Sequence, residues 1–122
     1  MWLRAFHRDR RRGLDGPAGE ATWAVVEVAD DDVRVVGSVR LRRTGEDGDL
    51  ETGLWLVREA RGRGVGRRAL GLVLDRAREA GARAVTAETT TGNAGARALL
   101  RSAGFATAVD GPRVRAELAL SA

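Results

Sequence analysis

The sequence predicts a single mixed α/β domain built on a mostly antiparallel sheet. Three alternating, β-branched runs between Ala21 and Val57 are separated by turn residues, which is typical of an antiparallel meander. After Val57 the hydrophobic period changes from two to 3.6, and this change predicts a helix that crosses the sheet. A chain of 122 residues is long enough for one such domain but not for two.

The first half of the chain is predicted to contain one helix and three strands. Trp2 to Arg12 can form a helix with apolar side chains on one side and arginines on the other. Ala21 to Val28 and Val33 to Arg43 form a hairpin, and Leu50 to Val57 follows a second turn. Residues 1–20 are therefore expected to be an incomplete N-terminal helical region that precedes the meander.

The second half of the chain is predicted to alternate helices and strands. A helix over Arg67 to Ala80 leads to a strand over Ala82 to Glu88, which a helical crossover makes parallel to the third strand. A second helix, Ala94 to Ser102, precedes a closing hairpin of Phe105 to Val109 and Val114 to Leu120. The first helix has an apolar stripe at i, i+3, i+4 and i+7, formed by Leu70, Val73, Leu74 and Ala77.

The composition argues against several classes of function. The chain has no Cys and a single His, His7. We therefore expect no disulfide framework, no zinc site and no other metal cofactor. Its net charge is +4, with 21 basic residues, all Arg, interspersed with 17 acidic ones. A GC-rich coding bias inflates Arg, so the charge is weak evidence for a nucleic-acid partner. No apolar run approaches membrane-spanning length, and we expect a cytoplasmic protein with no membrane partner.

The glycine-rich segment between the third strand and the first long helix predicts an anion site. Arg61-Gly62-Arg63-Gly64-Val65-Gly66-Arg67-Arg68 offers glycines that allow close backbone approach, followed by helix N–H groups without internal partners. Such donors suit a phosphate or pyrophosphate. A Walker A loop is excluded because it requires Lys, which the chain lacks.

A dinucleotide fingerprint is a competing interpretation of the same glycines. Gly64, Gly66 and Ala69 satisfy the pattern G-x-G-x-x-A, and Glu88 lies near the position of a ribose-binding acid. The strand ends several residues too early for that fingerprint, and the preceding strands are predicted to be antiparallel hairpins. The chain is also too short for two mononucleotide-binding halves.

A second pattern follows the glycine loop and points to a family. Asn93, Ala96, Leu99 and Gly104-Phe105 form N-x-x-A-x-x-L followed by G-F. Together with Arg61-x-x-Gly64-x-Gly66, it resembles the GNAT superfamily of acyl-CoA-dependent N-acetyltransferases. The amino-acid sequence from Gly53 to Val57 is most similar to that of the branch that acetylates the N-termini of ribosomal proteins.

The resemblance implies a fold and an activity. The fold is a central mixed, mostly antiparallel sheet of about six strands, with a splayed parallel strand pair and helices on both faces. The activity is transfer of an acetyl group from acetyl-CoA, as cosubstrate, to a primary amine by direct attack in a ternary complex. The acceptor can be a protein N-terminus or a small-molecule amine.

The resemblance also implies which residues bind acetyl-CoA. Loop amides would hold the pyrophosphate, backbone at the end of the third strand would pair with the pantetheine arm and polarise the thioester carbonyl, and an Asn would contact pantetheine. In this sequence these residues are Leu56, Val57, Arg61, Arg63, Gly64, Val65, Gly66, Arg67, Arg68 and Asn93. Asn93 is equally suited to capping the helix that starts at Ala94.

Direct attack needs a neutral amine, so a carboxylate base is expected near the acetyl group. Glu88 is the first candidate because it precedes Asn93 by five residues, where related N-terminal acetyltransferases carry their catalytic Glu. Glu51, on the neighbouring strand, is the competing base, and Glu27 is a more distant candidate.

Two positions depart from the family pattern. Leu100 stands where many members have a Tyr that protonates the departing thiolate, so Ser102 or water would have to serve instead. The first strand and first helix of the family also have no evident counterpart before Ala21. A non-catalytic CoA-binding or partner-binding module with this fold, for example a homodimer that completes its sheet with a second copy, is therefore an alternative function.

Overall fold

A seven-stranded sheet is the centre of the fold in the described part of a computed structural model, residues 2–7, 19–45 and 48–120. The strands follow the spatial order β1-β2-β3-β4-β5-β7-β6. Only β4 and β5 pair in parallel, which confirms the predicted mixed, mostly antiparallel sheet. The elements are β1 (Trp2–His7), β2 (Glu20–Ala29), β3 (Asp32–Arg43), β4 (Asp49–Leu56), a 3-10 helix (Arg58–Ala60), α1 (Val65–Glu79), β5 (Ala84–Thr90), α2 (Ala94–Ser102), β6 (Ala106–Asp110) and β7 (Arg113–Ala119).

The N-terminal segment differs from its sequence prediction. Trp2–His7 is a strand that pairs antiparallel with β2 over its whole length, from Trp2 opposite Val28 to His7 opposite Trp23. The predicted helix is therefore wrong over these residues, and its remaining part, residues 8–12, lies outside the described residues. Backbone pairing with the edge of β2 outweighs the weak helical pattern, because local propensity is a small term beside tertiary context. This strand takes the count to seven, against about six expected.

Helix α1 packs through the apolar stripe that the sequence predicts. Leu70, Val73, Leu74 and Ala77 are at most 5% exposed. They join a buried cluster with Val39 of β3 and other apolar side chains of the sheet. The helix ends before Gly81, whose φ of 77° is the left-handed conformation expected of a C-terminal glycine.

Both described helices lie on one face of the sheet. Leu100 and Leu99 of α2 belong to the same apolar cluster as the stripe of α1. The reason is topological: β4 to β5 and β5 to β6 are both parallel connections that advance toward the same edge, and right-handed crossovers then place both helices on the same side. In the described residues, the expected helix cover of the second face is therefore not seen.

The face opposite the helices, here called the open face, carries charged and aromatic side chains. Leu50 and Thr52 of β4 are buried toward the helices, so Glu51, Gly53 and Trp55 point to the open face by alternation.

Neither described helix is long and apolar enough to cross a membrane. Among the described residues, no group of three or more His, Asp or Glu is arranged to hold a metal ion.

Candidate functional site

A gap opens in the middle of the sheet, between the parallel strands β4 and β5. The two strands pair only at Asp49 with Ala84, Leu50 with Val85 and Glu51 with Thr86. Strand β4 continues to Leu56 and β5 to Thr90 without pairing to each other. The sheet is therefore forked beyond Glu51, which confirms the splayed pair.

The register with β3 determines which backbone groups of β4 face the gap. The Val57 N–H donates to the Val36 carbonyl at 2.8 Å, so these two residues form a hydrogen-bonded antiparallel pair. Such pairs alternate along a ladder, so Leu56, opposite Gly37, turns its N–H and C=O away from β3 and toward the gap. Leu54 does the same. The N–H of Val57 is engaged in the sheet, so its expected part in polarising a carbonyl group in the gap is not available.

The same alternation applies to β5. The Leu120 N–H donates to the Arg83 carbonyl at 2.9 Å, which makes the odd-numbered residues of β5 the hydrogen-bonded partners of β7. Glu88 and Thr90 therefore turn their backbone groups toward β4. Of the backbone groups that face the gap, the Leu56 carbonyl accepts from Arg61 Nε and the Thr90 carbonyl accepts from the Asn93 N–H. The other donors and acceptors of both strands that face the gap can pair with an extended chain that has amide groups.

A cleft of about 670 Å³ joins this gap to the start of α1 on the helix face. It is bounded by the end of β4, the glycine loop, the first turn of α1 and one side of α2. Its lining residues are Leu54, Trp55, Leu56, Arg61, Gly62, Gly64, Gly66, Arg67, Asn93, Gly95, Ala96, Ala98, Leu99 and Ser102. The two sequence patterns, although separate along the chain, thus meet at one site.

The start of α1 forms the anion-binding end of the cleft. Gly64 is the N-cap residue, with a φ of 80° that a residue with a side chain rarely adopts. The first hydrogen bond of the helix runs from Arg68 N–H to the Gly64 carbonyl at 3.1 Å. The amides of Val65, Gly66 and Arg67 precede that bond and have no acceptor within the helix. Together with the helix dipole they favour a bound phosphate.

Two of the predicted arginines lie at the cleft and two do not. Arg61 and Arg67 line it, and Arg61 Nε donates to the Leu56 carbonyl at 3.2 Å, which fixes the loop to the end of β4. Arg63 instead forms a 3.0 Å ion pair with Glu27 of β2. Arg68 is not among the lining residues. The side chain of Val65, 5% exposed, is part of the core, so Val65 can contribute only its backbone.

Gly66 is required by packing as well as by close approach. A Cβ at this position would lie 3.3 Å from Leu99 Cδ2, 3.4 Å from Leu56 Cδ1 and 3.6 Å from Leu54 Cδ2. These three leucines belong to α2 and β4 and line the cleft. A side chain at residue 66 would therefore push into the walls of the cleft.

Asn93 caps α2 at the mouth of the cleft. Its Oδ1 accepts a hydrogen bond from the Ala96 N–H at 3.0 Å. The side-chain amide N–H₂ group is not used in that bond, and Asn93 is one of the residues that line the cleft. The capping and ligand-binding interpretations of Asn93 are thus compatible.

The candidate bases lie together on the open face, at the fork. Glu51 and Glu88 both line a second cavity of about 470 Å³, with Thr86, Ala87, Ala106, Thr107, Ala108, Arg115, Ala116 and Glu117. Glu51 Oε1 accepts a hydrogen bond from Arg42 Nη2 at 2.7 Å, whereas Glu88 has a longer 3.4 Å contact with Arg113 and a side chain that is 47% exposed. The third candidate, Glu27, is held by Arg63, a glycine-loop residue, and lines neither cavity.

Sequence analysis missed part of the cleft wall. Gly95 and Ala98 were not assigned to a binding surface and Ser102 was named only as a proton source, although all three lie on one side of α2 with Leu99. Their spacing of three to four residues was a usable signal, because small residues at helical spacing allow close approach to that face. Trp55, 57% exposed, was also missed, and a strand aromatic gives no such signal.

The family model described as "Acetyltransferase (GNAT) domain" matches residues 2–106 of the chain. The chain belongs to the GNAT acetyltransferase family. Among curated proteins, none matches it in sequence.

Several solved structures share its fold. A domain from Methanocaldococcus jannaschii superposes with a TM-score of 0.76 at 22% identity, covering 88% of this chain and 70% of that one. The ribosomal-protein-alanine N-acetyltransferase of Brucella melitensis gives 0.65 at 24% identity, over 81% of this chain and 69% of that one. The N-acetyltransferase PseH of Campylobacter jejuni, in complex with acetyl coenzyme A, gives 0.68 at 18% identity, over 87% and 71%. At these identities the likeness concerns the fold alone.

We predict that Asn93→Ala lowers the free energy of unfolding by about 1 kcal/mol, because the Ala96 N–H loses its acceptor. Asn93→Asp keeps the acceptor and serves as the control that retains wild-type stability. Urea denaturation of the three proteins measures the difference. Equal midpoints for Asn93→Ala and the wild type would show that the cap does not hold α2 in place.

Proposed function

We propose that this protein transfers an acetyl group from acetyl-CoA to a primary amine by direct attack in a ternary complex. The observation that carries the proposal is the forked strand pair, whose gap leads into a cleft ending at the unpaired amides of α1. An extended acyl-CoA has the same three parts: an acyl end, an arm with two amides and a pyrophosphate. The family supplies acetyl transfer, and the amine acceptor is part of the proposal.

The residues of the cleft fit acetyl-CoA. The amides of Val65, Gly66 and Arg67 suit the pyrophosphate, and Arg61 and Arg67 add positive charge at the same end. The inner edge of Leu54 and Leu56 offers backbone partners for the pantetheine amides. Arg63 is assigned a structural part instead, because its guanidinium is held by Glu27.

When bound, acetyl-CoA supplies an activated acetyl thioester. The Leu56 carbonyl is already held by Arg61 Nε, whereas its N–H points into the gap. That N–H is the donor best placed to stabilise negative charge developing on an acyl oxygen in the gap. This assigns to Leu56 alone the role expected of Leu56 and Val57 together.

Glu88 is the proposed general base. It lies two residues beyond the last paired residue of β5, so its carboxylate is on the open face beside the gap. Glu51 is at the last paired position and accepts a tight hydrogen bond from Arg42. Because a base must be free to take a proton from the amine, the more loosely held Glu88 is favoured over Glu51.

The departing thiolate has no tyrosine to protonate it, since the chain contains none. Leu100 is 7% exposed and packs in the core. Ser102 lines the cleft, where its hydroxyl donates to the Leu99 carbonyl at 2.8 Å. We propose that water, or Ser102 after rotation of its hydroxyl, supplies the proton.

The cytoplasm is the proposed location of the protein.

A non-catalytic CoA-binding or partner-binding module is the second candidate. The ion pairs of Glu51 and Glu88 with arginines favour it, because both candidate bases are partly occupied. β6 is also an edge strand whose five residues are exposed, which suits the addition of a second copy of the sheet. This candidate predicts acetyl-CoA binding without acetylation of any amine.

We predict that Gly66→Val abolishes acetyl-CoA binding, because the new side chain would displace leucines of the cleft walls. Gly71→Val is the matched control: it is in the same helix, and no atom lies within 4 Å of its Cβ position. Calorimetric titration measures both, with circular dichroism to confirm folding. Equal affinities for the two variants would refute the cleft as the binding site.

We predict that Glu88→Gln lowers kcat by about 10²- to 10⁴-fold, the usual contribution of a general base, while acetyl-CoA affinity is unchanged. Steady-state kinetics over a range of pH, with an alkylamine as acceptor, measure the effect. Glu51→Gln tests the competing base, and Glu79→Gln, on the exposed side of α1, is the control for loss of one charge. Full activity of Glu88→Gln would transfer the role to Glu51 or to water.

A further inference from the structure

An arginine lies across the backbone of β4 at the fork, on the open face. The Cβ position of Gly53 is 3.3 Å from Arg40 Nε, 3.5 Å from Nη2 and 3.7 Å from Cζ. Nε and Nη2 are nearer than Cζ, so the edge of the Arg40 guanidinium that carries these two nitrogens lies against Gly53. Any other residue at position 53 would occupy that space.

This position is at the opening of the gap. Glu51 is the last residue of β4 that pairs with β5, and Gly53 is the next residue on the same face. The cleft reaches Leu54 and Trp55, the two residues that follow Gly53. Arg40 therefore stands beside the gap, on the side from which an acceptor would approach the proposed base, Glu88.

Among the described residues, Arg40 forms only a long ion pair, with Glu51. Its Nη2 is 3.7 Å from Glu51 Oε1, beyond hydrogen-bond distance, and the same oxygen accepts from Arg42 Nη2 at 2.7 Å. One carboxylate thus faces two guanidinium groups. The Arg40 side chain is 46% exposed, so its donors can be reached.

The surroundings of the fork are polarised. Arg40 and the exposed indole of Trp55 lie on the β3–β4 side. Glu88 and Glu117 lie in the cavity on the β5–β7 side, beside Arg115, which forms a 3.9 Å ion pair with Asp110. A molecule bound across the gap would meet a cationic group at one end and carboxylates at the other. This arrangement complements an acceptor that carries both an amine and an anion.

We propose that Arg40 binds a carboxylate of the acceptor, so that the preferred substrates are amines with a carboxylate a few bonds away. The inference rests on the proposed acetyl transfer and specifies its substrate class. A planar guanidinium matches a carboxylate in a two-pronged hydrogen bond, and the lack of a side chain at Gly53 leaves space for the Arg40 guanidinium beside β4. The carboxylate can belong to a free amino acid or to an acidic residue at a peptide N-terminus.

The test compares acceptors that differ only in the carboxylate. One pair is β-alanine and β-alaninamide, and the other is the tripeptide amides Asp-Ala-Ala and Asn-Ala-Ala. For at least one pair the wild type is expected to show a kcat/KM about 10- to 100-fold higher for the carboxylate, as for a charge-assisted hydrogen bond. The pair that shows it identifies the source of the carboxylate.

Three variants separate recognition from general electrostatics. Arg40→Gln is expected to raise KM for the carboxylate acceptor 10-fold or more, with little change in kcat or in the kinetics of the amide. Gly53→Ala keeps the charge but displaces the guanidinium, so it should weaken the same preference. Arg34→Gln removes an equal charge at the exposed far end of β3 and should preserve it.

Each failure has a distinct appearance. Acetylation of both members of each pair without preference in the wild type, or an equal loss in Arg34→Gln, would overturn the role of Arg40 and leave acetyl transfer standing. Acetyl-CoA binding without acetylation of any of the four acceptors or of a simple alkylamine would overturn the proposed function together with this inference.

Discussion

The early end of pairing between β4 and β5 is the constraint on which the rest of the site depends. Three register pairs hold the strands together, and beyond them the backbone groups that face the gap have no partner in the sheet. Backbone groups left unpaired in a protein interior are costly unless water or a ligand meets them. The gap can therefore bind an extended, amide-containing chain. Gly66 contributes to it by letting Leu54, Leu56 and Leu99 pack around the helix start between the diverging strands.

The fork and the start of α1 form one functional unit because they are joined by a short, fixed loop. Arg61 ties that loop to the Leu56 carbonyl, and Arg63 ties it to Glu27 of β2. The glycines with positive φ, Gly62 and Gly64, turn the chain so that the first amides of α1 point outward. A group bound in the gap and a phosphate bound at the helix are thus held at a set distance. Positioning of this kind contributes much of the rate in reactions between two bound substrates.

Local patterns in the sequence were sufficient for most of the fold, and the two motifs that they single out line one cleft. The change of hydrophobic period after Val57, the apolar stripe of α1 and the two motifs around Gly64 and Asn93 all depend on neighbours in the chain, and each is confirmed as structure. The resemblance to GNAT proteins added the splayed pair. What failed depends on residues distant in sequence. The pairing of Trp2–His7 with β2 is one such case. The ion pair between Arg63 and Glu27, 36 residues apart, is another.

Val57 shows most clearly which features the sequence of a single strand does not determine. Whether Leu56 or Val57 turns its N–H into the gap depends on the register of β4 against β3, and a shift by one residue would exchange them. No pattern within β4 determines that register. The placement of both helices on one face is likewise a property of strand order, which the sequence of each element does not contain.

The central claim, that the gap and the helix start form one acyl-CoA site, is tested most directly by amide NMR of the protein titrated with acetyl-CoA. We predict that the largest chemical-shift changes fall together on four N–H groups, those of Leu54, Leu56, Gly66 and Arg67. NADH should cause no comparable change. Shifts confined to the open-face cavity, or equal shifts with NADH, would contradict it.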